Sequence, residues 1–296
     1  ILKVSQAYAI SKDEKYAKYV VSQLDDWINS NPFMKSINWG CAMDVSIRSV
    51  NWIVSLSLIK DSKELKRSNL VTKIIRSIYG HLYYLNKCLR YTKVNNHNHY
   101  LSELSGVIYL GILFKETNLS NKILYYAINE FYREIRMQIL PSGVSYERST
   151  NYHRLVLEII THTIILLDRN KIEIPRDIWY RLEKMFEFTL YYTMPNGDAP
   201  IVGDQDDGRF LPFGVEKNIN HQYLLSMGTI LFNRGDFKKY SSGFSLDCIF
   251  VFGQKQKDKF NEIRNIELDL DSKSFLDAGF YIIRDKEDYC FINNSG

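Results

Sequence analysis

Residues 101–114 place Leu101, Leu104, Val107, Ile108, Leu110, Ile112, Leu113 and Phe114 on nearly every side of a helix. A helix that is apolar all round is enclosed by other elements. The same texture returns over residues 39–56 and 151–167. Between these runs lie stretches apolar on one face only, at 13–29, 63–89 with a break near Asn69, 118–139 and 179–193. Enclosed helices alternating with half-exposed ones describe two concentric layers, as in an (α/α) toroid. No tight solenoid repeat accompanies the alternation. Gly106 and Gly111 on the most enclosed run permit close helix packing.

Past Pro195 the texture changes. Residues 196–209 form a turn-rich, acidic loop, one more helix is predicted at about 221–232, and 280–284 with 289–292 flank Asp285-Lys286-Glu287-Asp288 as a hairpin signature. The predicted architecture is therefore mainly α: an incomplete (α/α) toroid at 1–260, followed at 261–296 by the start of an antiparallel β-sandwich domain. The chain opens Ile1-Leu2-Lys3-Val4 and stops just after a strand-like run, so both ends are expected to be cut from something longer.

Composition narrows the function classes. With 296 residues, 45% of them hydrophobic, the chain can bury a large core. Its 38 basic and 34 acidic residues leave a charge of +4, too balanced by itself for a nucleic-acid partner, while a mildly basic cleft for an acidic ligand is allowed. Cys41, Cys88, Cys248 and Cys290 are dispersed, without zinc-ligand spacing, and read as thiols. No apolar run reaches the roughly 18 residues of a membrane span, so a soluble globular protein is expected. The 21 tyrosines include candidates for stacking on sugar faces.

Two polar knots stand at the mouths of enclosed helices. The first is Asn95-Asn96-His97-Asn98-His99-Tyr100; the second is Tyr146-Glu147-Arg148-Ser149-Thr150-Asn151-Tyr152-His153-Arg154. One capping residue would suffice to start each helix. Amide and imidazole donors at a helix N-terminus suit a carboxylate. Asp44, Arg48 and Asn51 share one face of another enclosed run, either as an internal salt bridge or as cleft lining. The knots match the removal of the proton α to a uronate carboxylate with expulsion of the 4-O-linked sugar. That reaction requires the carboxylate charge to be suppressed, which Asn98 and His99 can do. It also requires a proton acceptor that can return a proton to the leaving oxygen. Tyr152 fits if Arg148, Arg154 or His153 lowers its pKa from about 10. No metal and no cofactor is called for.

The segments at 39–52, Asn98-His99-Tyr100-Leu101-Ser102-Glu103 through Gly106 to Gly111, 143–154, Gly203-Asp204-Gln205-Asp206-Asp207-Gly208-Arg209 and Phe275-Leu276-Asp277-Ala278-Gly279-Phe280-Tyr281 together resemble the heparinase II/III-like and alginate-lyase polysaccharide lyases. The resemblance covers most of the chain in the same order. It implies the toroid, the β-sandwich and uronate β-elimination, with the family's Asn-His pair at Asn98-His99 and its catalytic Tyr at Tyr152. Asn96-His97 also fits the pair. The substrate contacts expected around these are Asn96, His97, Glu147, Arg148, His153 and Arg154. The family's further catalytic His lies in the β domain, past the end of this chain. The implied partner is an acidic polysaccharide, and the implied setting is the bacterial periplasm or exterior. Two other readings stay open. One is a glycoside hydrolase on the same toroid using Asp204, Asp206 or Asp207 as a carboxylate pair, against a structural role in which these pair with Arg209 across a turn. The other is a noncatalytic glycan-binding protein.

Overall fold

The computed structural model describes residues 1–92, 97–268, 270–285 and 288–294, with side chains in the first span as far as residue 89. Its helices are α1 (Leu2–Ser11), α2 (Glu14–Ser30), α3 (Ala42–Ile59), α4 (Lys63–Arg67), α5 (Val71–Thr92), α6 (Asn98–Leu113), α7 (Asn118–Gln138), α8 (Thr150–Arg169), α9 (Arg176–Tyr192), α10 (Gln222–Phe232), α11 (Gly235–Lys239), α12 (Leu246–Phe252) and α13 (Gln256–Glu262). Strands β1 (Lys273–Phe275), β2 (Phe280–Arg284) and β3 (Tyr289–Asn293) follow. The chain divides into two compact units, one of Ile1–Phe131 with Phe210–Phe213, the other of Tyr132–Arg209 with Gly214–Gly296.

In the first unit α6 is the enclosed helix, buried at every residue from Tyr100 to Gly111. It packs on α3 through Gly106, where a Cβ would drive into Ser46 Oγ and lie 2.9 Å from Ser46 Cβ. Ser46 Oγ in turn donates to the Ser102 carbonyl of α6. Gly111 makes the same kind of room for Leu124 of α7. The break expected near Asn69 separates α4 from α5, and α2 starts at an Asp13 cap that accepts from the Lys15 N–H.

Helix α3 corrects two expectations. It is 18 residues long and apolar enough by length and composition to cross a membrane, the one such helix among the described residues. Yet Val45, Val50, Trp52 and Ile59 are buried, and the helix packs on α1, α5 and α6. Arg48 makes no ion pair with the exposed Asp44 among the described residues. Its Nε donates to His81 Nε2 at 3.1 Å, its Nη1 donates to the Asn38 carbonyl at 2.9 Å, and its guanidinium lies 4.4 Å from the Trp27 ring and 5.1 Å from Trp39. His81 Nδ1 is 2.7 Å from the Ser77 carbonyl, which can only accept, so Nδ1 carries the proton and Nε2 is left to accept from Arg48. Burial, then the Arg48 charge, push His81 down to about 3, so the ring is neutral. Asn51 donates to the Phe210 carbonyl at 2.8 Å. The shared face is thus an aromatic-walled arginine site inside the unit.

In the second unit α8 is the enclosed helix. From Thr150 to Leu167 only Tyr152 and Leu166 escape full burial. The three strands form one antiparallel sheet in the order β1-β2-β3, with Phe280 opposite Phe275 and Asn293. The alternation of β2 turns Phe280 and Ile282 inward, where they join Phe188 and Tyr192 of α9 in one apolar cluster.

Because Gly106 has no room for a methyl group, Gly106→Ala is expected to destabilise the protein by roughly 1–3 kcal/mol through α3–α6 overpacking. Chemical denaturation of the two proteins would measure this, and a cost below about 0.5 kcal/mol would contradict the packing described.

Candidate active site

The first knot divides between cap and helix. His97 is the N-cap of α6, and its Nδ1 accepts the His99 backbone N–H at 3.3 Å. Asn98 opens the helix and is buried, whereas His99 is exposed, its ring 4.6 Å from that of His97 and perpendicular to it. Asn96 lies outside the described residues. His97 therefore holds the helix start, and Asn98 and His99 ride on the first turn, where backbone N–H groups favour an anion.

The second knot is tied down by the loop that follows Pro200. Ser149 caps α8, its Oγ accepting from the Tyr152 N–H at 3.1 Å while donating to the Asp204 carbonyl at 2.6 Å. Thr150 N–H donates to the Val202 carbonyl at 3.0 Å, and Thr150 Oγ1 donates to the Pro200 carbonyl at 2.7 Å. Glu147 and Arg148 are half-buried in the turn before the cap. Arg148 takes φ 55°, a left-handed conformation unusual for a side-chain-bearing residue. Gly203, at φ +73°, lies against that turn so closely that a Cβ would sit 3.0 Å from the Arg148 carbonyl and Ser149 Cα.

Arg154 and His153 do not meet solvent, which corrects the expectation that they touch substrate. Arg154 is 1% exposed and its Nη2 donates to the Asp206 and Gly208 carbonyls at 2.9 and 3.0 Å. His153 is wholly buried beside the Met185 carbonyl, 3.2 Å from Nε2, and burial pushes its imidazole down to about 4. The reason is helical geometry: consecutive residues point about 100° apart, so Tyr152, His153 and Arg154 cannot share a face.

Tyr152 itself is half-buried. Burial raises its phenol above the usual value, and the Asp206, Asp204 and Glu147 carboxylates raise it further. The expected lowering by Arg148, Arg154 or His153 is therefore reversed. The acidic loop that supplies two of these charges, Asp204 and Asp206, was singled out in the sequence, but its nearness to Tyr152 follows from the Ser149 and Arg154 straps. Serine before an apolar run was the legible signal for the first strap.

Arg209 does not pair with the loop aspartates. It reaches inward to Glu158, which also accepts from Tyr223, and to Asp247 Oδ1 at 3.2 Å. Asp206 Oδ1 instead accepts the Gly208 N–H. On the far side of Asp247, a Cβ on Gly214 would collide with Glu216 Oε2 and lie 2.6 Å from Asp247 Oδ2. Among the described residues neither oxygen has a hydrogen-bond partner, and both lie close to the same Gly214 position. Two carboxylates so placed are best satisfied by one proton between them. Burial raises Asp247 to about 7; Arg209 opposes the shift, while Glu158 and Glu216 reinforce it. Among the described residues no three His, Cys, Asp or Glu side chains are grouped to hold a metal ion.

The sequence model of the Heparinase II/III N-terminus family matches residues 2–220. Among curated relatives, a heparin-sulfate lyase of Pedobacter heparinus is 26% identical over 204 residues, covering 67% of this chain and 30% of its own length. A heparin-sulfate lyase of Bacteroides thetaiotaomicron is 23% identical over 233 residues, covering 75% and 32%. Among solved structures, a heparinase III superposes with TM-score 0.71 at 19% identity, over 99% of this chain and 43% of that one. The heparan sulfate lyase HepC from Pedobacter heparinus gives 0.63 at 20%, over 99% and 43%. The fold class is thus mainly α, an incomplete (α/α) toroid followed by antiparallel strands. This chain belongs to the heparinase II/III family. It spans about a third of the length of the curated relatives it matches.

The Asp247–Glu216 contact fixes the sign of a pH dependence. The folded state keeps a proton that an unfolded aspartate releases near pH 4, so stability should fall as pH rises from about 4 through 7, by at most on the order of 4 kcal/mol. Asp247→Asn should flatten that part of the stability-versus-pH curve. An unchanged slope in thermal melts would show that Asp247 does not hold the proton.

Proposed function

We propose that this chain is the helical part of a polysaccharide lyase that cleaves a uronic-acid-containing polymer by β-elimination. Within it, Asn98 and His99 hold the uronate carboxylate and Tyr152 exchanges the protons. The domain reading at 1–260 and 261–296 belongs to the same proposal. The observation that carries it is the exposure pattern at the mouths of the two enclosed helices. His99 is exposed beside a buried Asn98 in the first turn of α6, and Tyr152 alone breaks the burial of the first four turns of α8. The relatives named as heparin-sulfate lyases support the choice of an acidic polysaccharide and a bacterial source, and a periplasmic or secreted setting is part of the same proposal. Glu147 and Arg148 remain candidates for substrate contact from the turn before Ser149.

In this reading, amide and imidazole donors with the α6 N-terminus neutralise the carboxylate, so charge developing at C5 is tolerated. The deprotonated Tyr152 oxygen takes the C5 proton, the C–H electrons form the C4–C5 double bond, the C4–O bond breaks, and the phenol so formed returns that proton to the leaving oxygen. The protons balance without another donor. Tyr152 is neutral at rest because burial and three carboxylates raise it. Its basic form therefore grows on the alkaline side.

The deciding test is the appearance of unsaturated uronate absorbance when the protein in its complete natural form is given heparan-type, alginate and capsular polymers. Silence on all of them would sink the reading. With an active substrate, Tyr152→Phe should lower kcat at least 10³-fold and Asn98→Ala by 10²–10³-fold, on the order expected for a lost proton-transfer group and a lost charge-stabilising donor.

The acidic loop supplies a separate prediction. Asp204→Asn and Asp206→Asn remove negative charge beside the phenol, so the limb of kcat/KM that rises with pH as Tyr152 deprotonates should move to lower pH in each. Asn at 206 still offers an oxygen to the Gly208 N–H. A limb that stays in place in both variants would show that Tyr152 is not the group being titrated.

A further inference from the structure

On α5, Arg76, Gly80, Tyr83 and Lys87 recur at intervals of four, three and four, which sets them in one stripe along the helix. The stripe is continuous because Phe33, from the loop after α2, covers Gly80. Two Phe33 ring carbons would lie 3.3 and 3.4 Å from a Cβ at that position. The Phe33 and Tyr83 rings stand 6.3 Å apart and are 43% and 42% exposed. Lys87 Nζ lies 4.6 Å from the Tyr83 ring centre. Arg76, Lys87 and Lys35 of the Phe33 loop are exposed, and none has a carboxylate partner among the described residues.

The resulting row reads cation, aromatic, aromatic, cation, and from Arg76 to Lys87 it measures about 16 Å along the helix axis at 1.5 Å per residue. Exposed aromatic faces of this kind suit the C–H faces of pyranose rings, and unpaired cations on either side suit carboxylates or sulfates. An aliphatic protein partner would make little use of the two end charges. The Lys87 end is also the end from which the chain passes on to Asn98 and His99.

We infer that the Arg76–Phe33–Tyr83–Lys87 stripe is an auxiliary binding surface for an acidic polysaccharide chain. It rests on the lyase reading for the choice of polymer, and it adds a second contact that only a long chain can use while its reacting unit is held elsewhere. Two linked contacts raise affinity without improving either one, so the signature is a dependence on chain length.

The test compares the wild type with Arg76→Ala/Lys87→Ala and with Tyr83→Ala, all checked by circular dichroism and melting temperature. Binding is measured by calorimetry to long heparan sulfate chains and to a heparan sulfate tetrasaccharide, at low and moderate salt. The expected result is a 5- to 20-fold weaker affinity for the long chain in the double variant. The loss should shrink as salt screens the wild-type contact, and the ratio of long-chain to tetrasaccharide affinity should fall in both variants. Unchanged long-chain affinity, an equal loss for both ligands, or no long-chain binding by the wild type overturns the inference. Failure of the lyase reading shows separately, as absence of unsaturated product from every polymer while length-dependent binding persists.

Discussion

The buried guanidinium of Arg154 is the contact on which the second half of the candidate site depends. It has no carboxylate partner among the described residues, and its Nη2 is divided between the carbonyls of Asp206 and Gly208. A charge held only by backbone carbonyls in the interior is costly unless the geometry is fixed around it. Here it is fixed from both ends, by the Ser149 and Thr150 bonds to residues 200–204 and by Arg209 anchored in the Glu158–Asp247 network. The loop therefore cannot drift from the start of α8 without stranding a cation. Tyr152 sits at that start, so its electrostatic surroundings are set by a residue that faces away from it.

Most of the helical framework was legible in the sequence because burial leaves a simple mark. A run such as residues 101–114 is best satisfied by enclosure, and α6 is buried at every residue from Tyr100 to Gly111. Glycines 106 and 111 were legible as close-approach sites for the same reason. The small helices α11 to α13 and strand β1 were not, since each is short and takes its conformation from what it packs on. Helix α1 escaped too, lacking a side-chain cap at Ile1.

The site was legible in identity more than in electrostatics. Reading Tyr152, His153 and Arg154 as neighbours in sequence suggested a cation beside the phenol, but a helix sends neighbours to different sides. Two turned into the core and became supports. Two of the three carboxylates that raise the phenol, Asp204 and Asp206, come from some fifty positions later, and only the straps reveal that. Likewise Arg48, expected either in an internal salt bridge or lining a cleft, is held by His81 and two tryptophans, a set of partners drawn from three separate elements.

The acidic surroundings bear on how a tyrosine could serve both proton transfers. In the proposed reaction a phenol pulled down to neutral pH would be present as the base more often and, once protonated, would give its proton up more readily, but its phenolate would draw the C5 proton less strongly. One raised by burial and by Asp206, Asp204 and Glu147 holds its proton more firmly in the resting protein, and in the proposed reaction its scarcer phenolate would be the stronger base toward C5. The same charges would repel an anionic polymer, so in the proposed function its binding would draw on cations away from Tyr152. On that proposal the work of attraction would fall to donors such as Asn98 and His99 and to exposed basic side chains, leaving the surroundings of the phenol to set the proton's energy.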